Sequence, residues 1–248
     1  MVNIEKYEIW SQKYDVDEIE SDIIFNEIDF KKKRIVEVGA GTGRFTLKSL
    51  SLVKYILAIE PSNGACRILK EKVKQSQYKD KIQIIQSNFE TLDISEFKGT
   101  FDIVFFSWSL YHISDIHLAI TKAIDLINEG GIIVISQPYG GDYENCVNSI
   151  YHSDSISIYE KASKEAELLL KTRFCNIRDF YIRSCFYFND INEAVDLSVF
   201  FVEDDESRNV TNEEKYTLSK NFAAKNIDKD HVKLSDVVKV IVAENRKF

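Results

Sequence analysis

At 248 residues, 44% of them hydrophobic and 12% aromatic, the chain is long enough to bury one substantial core, and a single domain with an elaboration is expected. A formal charge of −8 argues against a surface that attracts phosphate backbones, and two prolines with no Ser-, Gly- or Pro-rich tract leave no obvious flexible linker. Cysteines at 66, 146, 175 and 185 show no CxxC pairing, so free thiols in a reducing compartment are expected and a zinc site is not. In chain order, residues 1–30 carry Tyr7, Trp10, Tyr14, Ile19, Ile23 and Ile24 at helical spacing among many acids, which predicts one or two amphipathic helices. Lys31 to Arg34 is the only dense basic run and reads as a solvated entry to the first strand. No apolar run approaches the roughly 20 residues of a membrane span, and a soluble, cytoplasmic protein is expected.

Arg34 to Val38 reads as a short buried strand, Gly39 to Gly43 as a tight turn, and Arg44 onward as a helix reaching about Leu52. Glycines at 39, 41 and 43 suit a loop that must adopt turn conformations and approach a ligand closely. A nicotinamide dinucleotide fold would place a third glycine of G-x-G-x-x-G at position 44, where this chain has Arg44. With an acid two places before the first glycine, the run Glu37-Val38-Gly39-Ala40-Gly41-Thr42-Gly43 instead resembles the first motif of class I S-adenosylmethionine-dependent methyltransferases. The resemblance implies that all of Glu37 to Gly43 except Val38 belong to a cofactor cradle, and that the N-terminal helices fold over it, with Trp10 and Tyr14 as candidate lining residues. Plain packing on the sheet is the alternative for both aromatics.

A second strand, Tyr55 to Glu60, ends in an acid, with Pro61 stopping it and Ser62 placed to cap the next helix, to about Gln75. A carboxylate accepts from two hydroxyl donors at once, so Glu60 is the candidate for the cofactor ribose, with Pro61 beside it. After a third strand, Ile82 to Gln86, the resemblance sets Asn88 against the adenine amino group and Phe89 against its ring. Asn88 stands where the family often has aspartate, but its amide carbonyl can accept the same hydrogen bond.

Phe101 to Trp108 is an almost continuous apolar run, as expected of a central strand buried on both faces, and it delivers Ser107 to Ile113 to the carboxyl edge of the sheet. Ser107 is a cofactor candidate there, and Trp108 and Tyr111 are candidates to line the acceptor. The segment SWSLYHI matches neither the N/D-P-P-Y/F motif used on planar nitrogens nor a Pro-Cys nucleophile. His112 is the candidate general base, since an imidazole takes a proton from a hydroxyl or ammonium near neutral pH; a purely structural histidine is the alternative.

A helix over Asp115 to about Asn128, a turn at Gly130-Gly131 and a fifth strand, Ile132 to Ser136, come next, with Tyr139 a further substrate-lining candidate. A helix over Ile156 to Leu170, a sixth strand within Asn176 to Phe188, two helices at Ile191 to Val202 and Glu213 to Asn226, and a last strand, Val237 to Ala243, complete the pattern. The run Glu203-Asp204-Asp205-Glu206 reads as a solvated loop, with attraction of a cationic substrate as the alternative. The expected fold is α/β, a Rossmann-like open sheet of seven mostly parallel strands with helices on both faces. The resemblance makes the last strand antiparallel, between the fifth and sixth. The expected organisation is an N-terminal helical cap at 1–30 and a methyltransferase domain at 31–248, with a lid insertion at about 190–230. The function this implies is methyl transfer from S-adenosylmethionine, leaving S-adenosylhomocysteine, to oxygen or nitrogen of a small molecule, without metal, membrane or nucleic acid. Alternatives are a tRNA or rRNA methyltransferase of the same fold, or a cofactor-binding regulatory protein that does not catalyse.

Overall fold

A computed structural model describes residues 3–151, 155–203, 210–225 and 231–246 of the chain. The elements run α1 (Ile4–Lys13), α2 (Ile19–Glu27), β1 (Arg34–Val38), α3 (Arg44–Ser49), β2 (Tyr55–Glu60), α4 (Asn63–Lys74), β3 (Ile82–Gln86), β4 (Phe101–Ser107) and α5 (Ile116–Leu126). They continue with β5 (Ile127–Gly141), α6 (Asp142–Tyr151), α7 (Ser155–Arg173), β6 (Phe174–Phe188), α8 (Ile191–Glu203), α9 (Asn212–Lys225) and β7 (Val232–Arg246). Residues 204–206 of the acidic run, and His152, lie outside the described residues.

The strands form one seven-stranded sheet in the order β3-β2-β1-β4-β5-β7-β6, mostly parallel, with the last strand antiparallel. Parallel register runs through β3, β2, β1, β4 and β5, for instance Val38 beside Ile59 and Phe106. The chain steps outward from β1 through β2 to β3 and then returns to the other side of β1 as β4. The strand order therefore reverses at the β1/β4 junction, and the crevice of such sheets opens at that point, beyond the carboxyl ends. Both central strands are buried on both faces, which is why they read as unbroken apolar runs.

The chain divides into two compact units. The first is built from Met1–Asp22, Tyr139–Ser157 and Ile182–Val238, and the second from Ile23–Pro138, Ile158–Tyr181 and Lys239–Phe248. The residues expected to form an N-terminal cap are shared, with α1 in the first unit and α2 straddling the boundary. In the first unit α8 contacts α1 and α9, and α9 contacts α6. Its core is aromatic: Phe186 stacks on Tyr143 with centroids 4.1 Å apart and lies parallel to Phe188 at 5.9 Å. Asp15 ties the N-terminal segment to β6 within this unit. Its carboxylate accepts from the Glu20 amide at 2.8 Å and the Ser184 hydroxyl at 2.7 Å, and its own amide donates to the Cys185 carbonyl.

In the second unit one aromatic cluster joins Phe25, Phe30, Phe45 and Phe105, with Phe45 edge-on to Phe105 at 4.3 Å. A larger aliphatic cluster brings together Val38, Ile59, Phe106 and Ile135 with Ala123 and Leu126 of α5 and Ala162 and Ala166 of α7.

Three local expectations need correction. Helix α3 stops at Ser49 rather than near Leu52. The Ser49 hydroxyl donates to the Thr46 carbonyl, which the Leu50 amide also uses, and the next amides turn back to Ser49. Gly130-Gly131 is not a turn before the fifth strand. It falls inside β5, where the register slips between Phe101 and Ile103 as β5 advances from Ile127 to Ile132. Helix α6 was not anticipated, although Tyr143, Cys146 and Ile150 are buried at i, i+3 and i+7.

Candidate cofactor and acceptor site

The glycine loop is held mainly by protein. Gly39 has φ +75°, and a Cβ there would sit 2.3 Å from the Cβ of Ser109, in the segment that follows β4. The same serine donates through Oγ to the Val38 carbonyl at 2.5 Å, so the β1 and β4 loops lean on each other. Gly43, at φ +96°, meets Leu69 of α4 in the same way, at 2.5 Å. Two of the three glycines are therefore required by neighbouring side chains before any ligand is considered. Lys72 of α4 adds an ammonium donor to the Thr42 carbonyl at 3.0 Å. Ala40 and Thr42 are buried.

Glu60 closes the loop from the end of β2. One carboxylate oxygen accepts from the Gly41 amide at 2.8 Å and the other from the Ser62 amide at 2.9 Å. Burial raises its pKa, opposed by those two backbone hydrogen bonds. Each oxygen keeps a second lone pair, so the group can still accept two hydroxyl donors. Ser62 caps α4 through the Ala65 amide, as the sequence predicts, while Pro61 is exposed.

Glu37 behaves differently. It is 1% exposed, accepts from the Thr46 hydroxyl at 2.6 Å, and burial pushes its pKa up to about 8 despite that hydrogen bond and the nearby Arg44 charge. At neutral pH it is mostly a neutral acid beneath the loop, fastening β1 to α3.

At the end of β3, Asn88 is exposed and its backbone carbonyl accepts from the Thr91 and Leu92 amides. Phe89 is 3% exposed and lies edge-on to Phe106, 5.8 Å away, within the core. Ser107 is half-buried and pairs in register with Ser136 of β5. Trp108 then takes φ +52°, a left-handed conformation unusual for a bulky residue, with its amide donating to the Ser136 carbonyl at 2.8 Å. The Arg44 guanidinium lies over its ring, 4.8 Å from the centroid.

Beyond it, a 3-10 turn at Leu110–His112 is closed by the His112 amide on the Ser109 carbonyl. Tyr111 lies tilted against His112 at 4.3 Å and edge-on against Tyr159 of α7 at 4.5 Å. His112 keeps an exposed rim, yet the atoms crowded around it cost it hydration and lower its pKa, so the imidazole is neutral at physiological pH. On α7, Tyr159 and Ser163 also meet Gln137, which is fully buried within β5. Its amide donates to the Tyr159 carbonyl at 2.6 Å and to the Ser163 hydroxyl.

The structure thus brings Glu37, the glycine loop, Glu60, Trp108, Tyr111 and His112 to one sheet edge in the second unit. Trp10, Tyr14 and Tyr139 belong to the first unit. There Trp10 donates its indole N–H to the Tyr143 hydroxyl at 2.8 Å, and both Trp10 and Tyr14 pack on Phe186. Tyr139 is half-buried. Sequence reasoning missed Ser109, Gln137 and Tyr159. The signal for Ser109 was a small residue between two aromatics in SWSLY, but its partner lies 70 residues earlier in the chain.

Residues 36–135 match the model of a family described as a methyltransferase domain. Over these residues the chain is similar to S-adenosylmethionine-dependent methyltransferase domains. An uncharacterised methyltransferase of Alkaliphilus oremlandii is 29% identical over 110 residues, 44% of this chain and 47% of that protein. The chain spans about half the length of the uncharacterised methyltransferases it matches. The fold is shared with the YcgJ protein of Bacillus subtilis, at TM-score 0.59 and 12% identity, covering 92% of this chain and 98% of that one. It is also shared with a phosphoethanolamine N-methyltransferase of Haemonchus contortus, at 0.56 and 14%, covering 93% and 53%; that structure contains phosphomonomethylethanolamine and S-adenosylhomocysteine. The family's cofactor is S-adenosylmethionine. The residues present fit it, with a buried carboxylate holding spare lone pairs, positive-φ glycines, and an amide carbonyl at the next strand end. Among the described residues no helix is long and apolar enough to cross a membrane.

Proposed function

We propose that this methyltransferase transfers a methyl group to an oxygen or nitrogen of a small-molecule acceptor, with His112 as the general base. The observation that carries this reading is the position of the His112 imidazole, tilted against Tyr111 one turn beyond the serine that locks the glycine loop. When bound, S-adenosylmethionine supplies an electrophilic methyl on a sulfonium that is already a good leaving group. In this reading Glu60 accepts the ribose hydroxyls, Asn88 accepts from the adenine amine, and Ser107 and the loop from Gly39 to Gly43 line the amino-acid portion. The aromatic faces of Trp108 and Tyr111 favour positive charge beside them. His112 removes the acceptor's proton as the bond to carbon forms, and alignment supplies most of the remaining acceleration. The formal charge of −8 favours a small acceptor over a nucleic acid.

The test uses the cofactor labelled on its methyl group, offered with the dialysable fraction of a cell extract or with total RNA. Label in the dialysable fraction supports the reading; label in RNA alone overturns the acceptor class. With an acceptor in hand, His112→Ala is expected to lower kcat about 100-fold while leaving S-adenosylhomocysteine affinity unchanged. Because the imidazole pKa is lowered, the wild-type acid limb should lie below the ordinary histidine value of 6.5. A variant with full turnover and the same pH profile would assign His112 to packing.

A further inference from the structure

Resting on the acceptor reading above, we infer that the side-chain carbonyl of Gln137 accepts a hydrogen bond from a hydroxyl or amine of the methyl acceptor, a donor distinct from the atom that is methylated. Gln137 belongs to the second unit, as His112 does. Its side chain is fully buried, and its Oε1 has no hydrogen-bond partner among the described residues. An amide oxygen taken out of water without a donor is costly to hold, and each such atom in a folded protein needs a physical reason.

The direction of the amide follows from its two donors. Nε2 donates to the Tyr159 carbonyl at 2.6 Å and to the Ser163 hydroxyl. That hydroxyl directs its own proton to the Tyr159 carbonyl at 3.1 Å, so it meets Gln137 as an acceptor. Turning the amide over would press Oε1 against the Tyr159 carbonyl, which has nothing to donate. The nitrogen is therefore held by α7, and because the amide is planar its oxygen is turned away from those two partners. Both N–H groups are satisfied, and only the acceptor is left over.

A chain of contacts leads from this amide to the candidate base. Tyr159 lies edge-on to Tyr111 at 4.5 Å, and Tyr111 lies tilted against His112 at 4.3 Å. In the sheet, Gln137 comes one residue past the last β4–β5 pair, Ser107 with Ser136, so its oxygen belongs to the same carboxyl edge as His112. A carbonyl oxygen offers only lone pairs and selects a donor; a hydroxyl or an amine fits it, whereas a carboxylate or phosphate is repelled. The acceptor this implies is an alcohol or amine carrying an O–H or N–H beyond the one lost on methylation. Because the oxygen is covered, its donor arrives with rearrangement of side chains, a common event on binding. The half-buried rings of Tyr111 and Tyr159 are the groups along the way to the exposed rim of His112.

Methyl-labelled cofactor with a dilution series of the dialysable extract fraction reads the acceptor's apparent KM without its identity. On the full chain, Gln137→Met, close in volume, is expected to need a fraction about 10-fold or more concentrated for half-maximal labelling. Its affinity for S-adenosylhomocysteine by calorimetry should stay within about twofold of wild type. Ser163→Ala removes a partner of the nitrogen and keeps the oxygen, so its half-maximal point should move by no more than about threefold. A Gln137→Met curve matching wild type, an equal shift in Ser163→Ala, or a matching loss of S-adenosylhomocysteine affinity overturns the inference while leaving the acceptor reading intact. Should Gln137→Met not fold, the labelled wild-type product decides. Treated with acetic anhydride it should change chromatographic mobility, because it retains an O–H or N–H, and a product that resists acetylation overturns the assignment. A wild-type chain that labels nothing in the dialysable fraction fails the acceptor reading itself, and the inference with it.

Discussion

The two units of this protein are held by different kinds of contact. In the second unit, the cradle at the carboxyl edge is assembled from strand ends and backbone groups: Glu60 on the Gly41 and Ser62 amides, Ser109 on the Val38 carbonyl, Lys72 on the Thr42 carbonyl. In the first unit, the centre is a stack of rings drawn from α1, α6, β6 and α9, with Phe186, Phe188 and Phe222 around Tyr143, whose hydroxyl accepts from the Trp10 indole and from Ser198. Backbone contacts depend on chain path and tolerate few residue types at the turning points. Ring stacks depend on volume and accept several aromatic or aliphatic substitutes at modest cost. The cradle should therefore be brittle to single substitutions and the aromatic core forgiving.

The sharpest way to break that contrast is Gly39→Ala. The new methyl would carry φ +75° and meet the Ser109 Cβ at 2.3 Å, combining left-handed strain with overpacking, and the expected loss is roughly 2 to 5 kcal/mol of stability by urea titration. A variant as stable as wild type would show that the loop can move aside without penalty.

Glu37→Gln probes the cradle more gently, and its effect is set by pH. The carboxyl pKa is raised from 4.5 to about 8, so the folded state retains a proton that the unfolded chain has released. The stabilisation from the neutral acid is fully present below 4.5 and lost as pH rises through about 8. Glutamine is neutral, can accept from Thr46, and has nothing to lose. Wild-type Tm should fall between about pH 5 and pH 8 relative to the variant, by the equivalent of a few kcal/mol. Parallel Tm curves for the two proteins would mean that Glu37 is already charged.

The smallest effect is expected in the first unit. Tyr143→Phe keeps the ring stacked on Phe186 and removes one acceptor for the Trp10 indole, a change of about 1 kcal/mol in thermal or chemical unfolding. A loss as large as that of Gly39→Ala would dissolve the distinction between a brittle and a forgiving region.

The same contrast explains what could be read in the sequence. The strands themselves, the glycine turn and the acid that ends β2 were legible because short-range physics writes them locally: apolar runs for buried strands, glycines at positive φ, an acid and a proline at a strand end. The cap at Ser62 and the helix start at Asp115 appear as the residue types suggest. What was illegible is set by partners far along the chain. Phe89 packs edge-on to Phe106, a partner that nothing beside it in the sequence announces. Trp10 looked like a lining residue and makes its hydrogen bond with Tyr143, more than 130 residues away. Arg44 entered only as an argument against a nicotinamide site, since nothing local shows that its guanidinium lies on Trp108. Gly130-Gly131 misled because a double glycine signals a turn, whereas here it accommodates a slip in register.

The interlock of Gly39 with Ser109 also constrains how the sequence can drift. The collision involves a Cβ, which every amino acid but glycine possesses, so no choice of residue at 109 except glycine makes room for a side chain at 39. Even glycine at 109 would relieve only the collision, because a φ of +75° strains any side chain at 39 whatever the space around it, so position 39 is closed to drift from two independent directions.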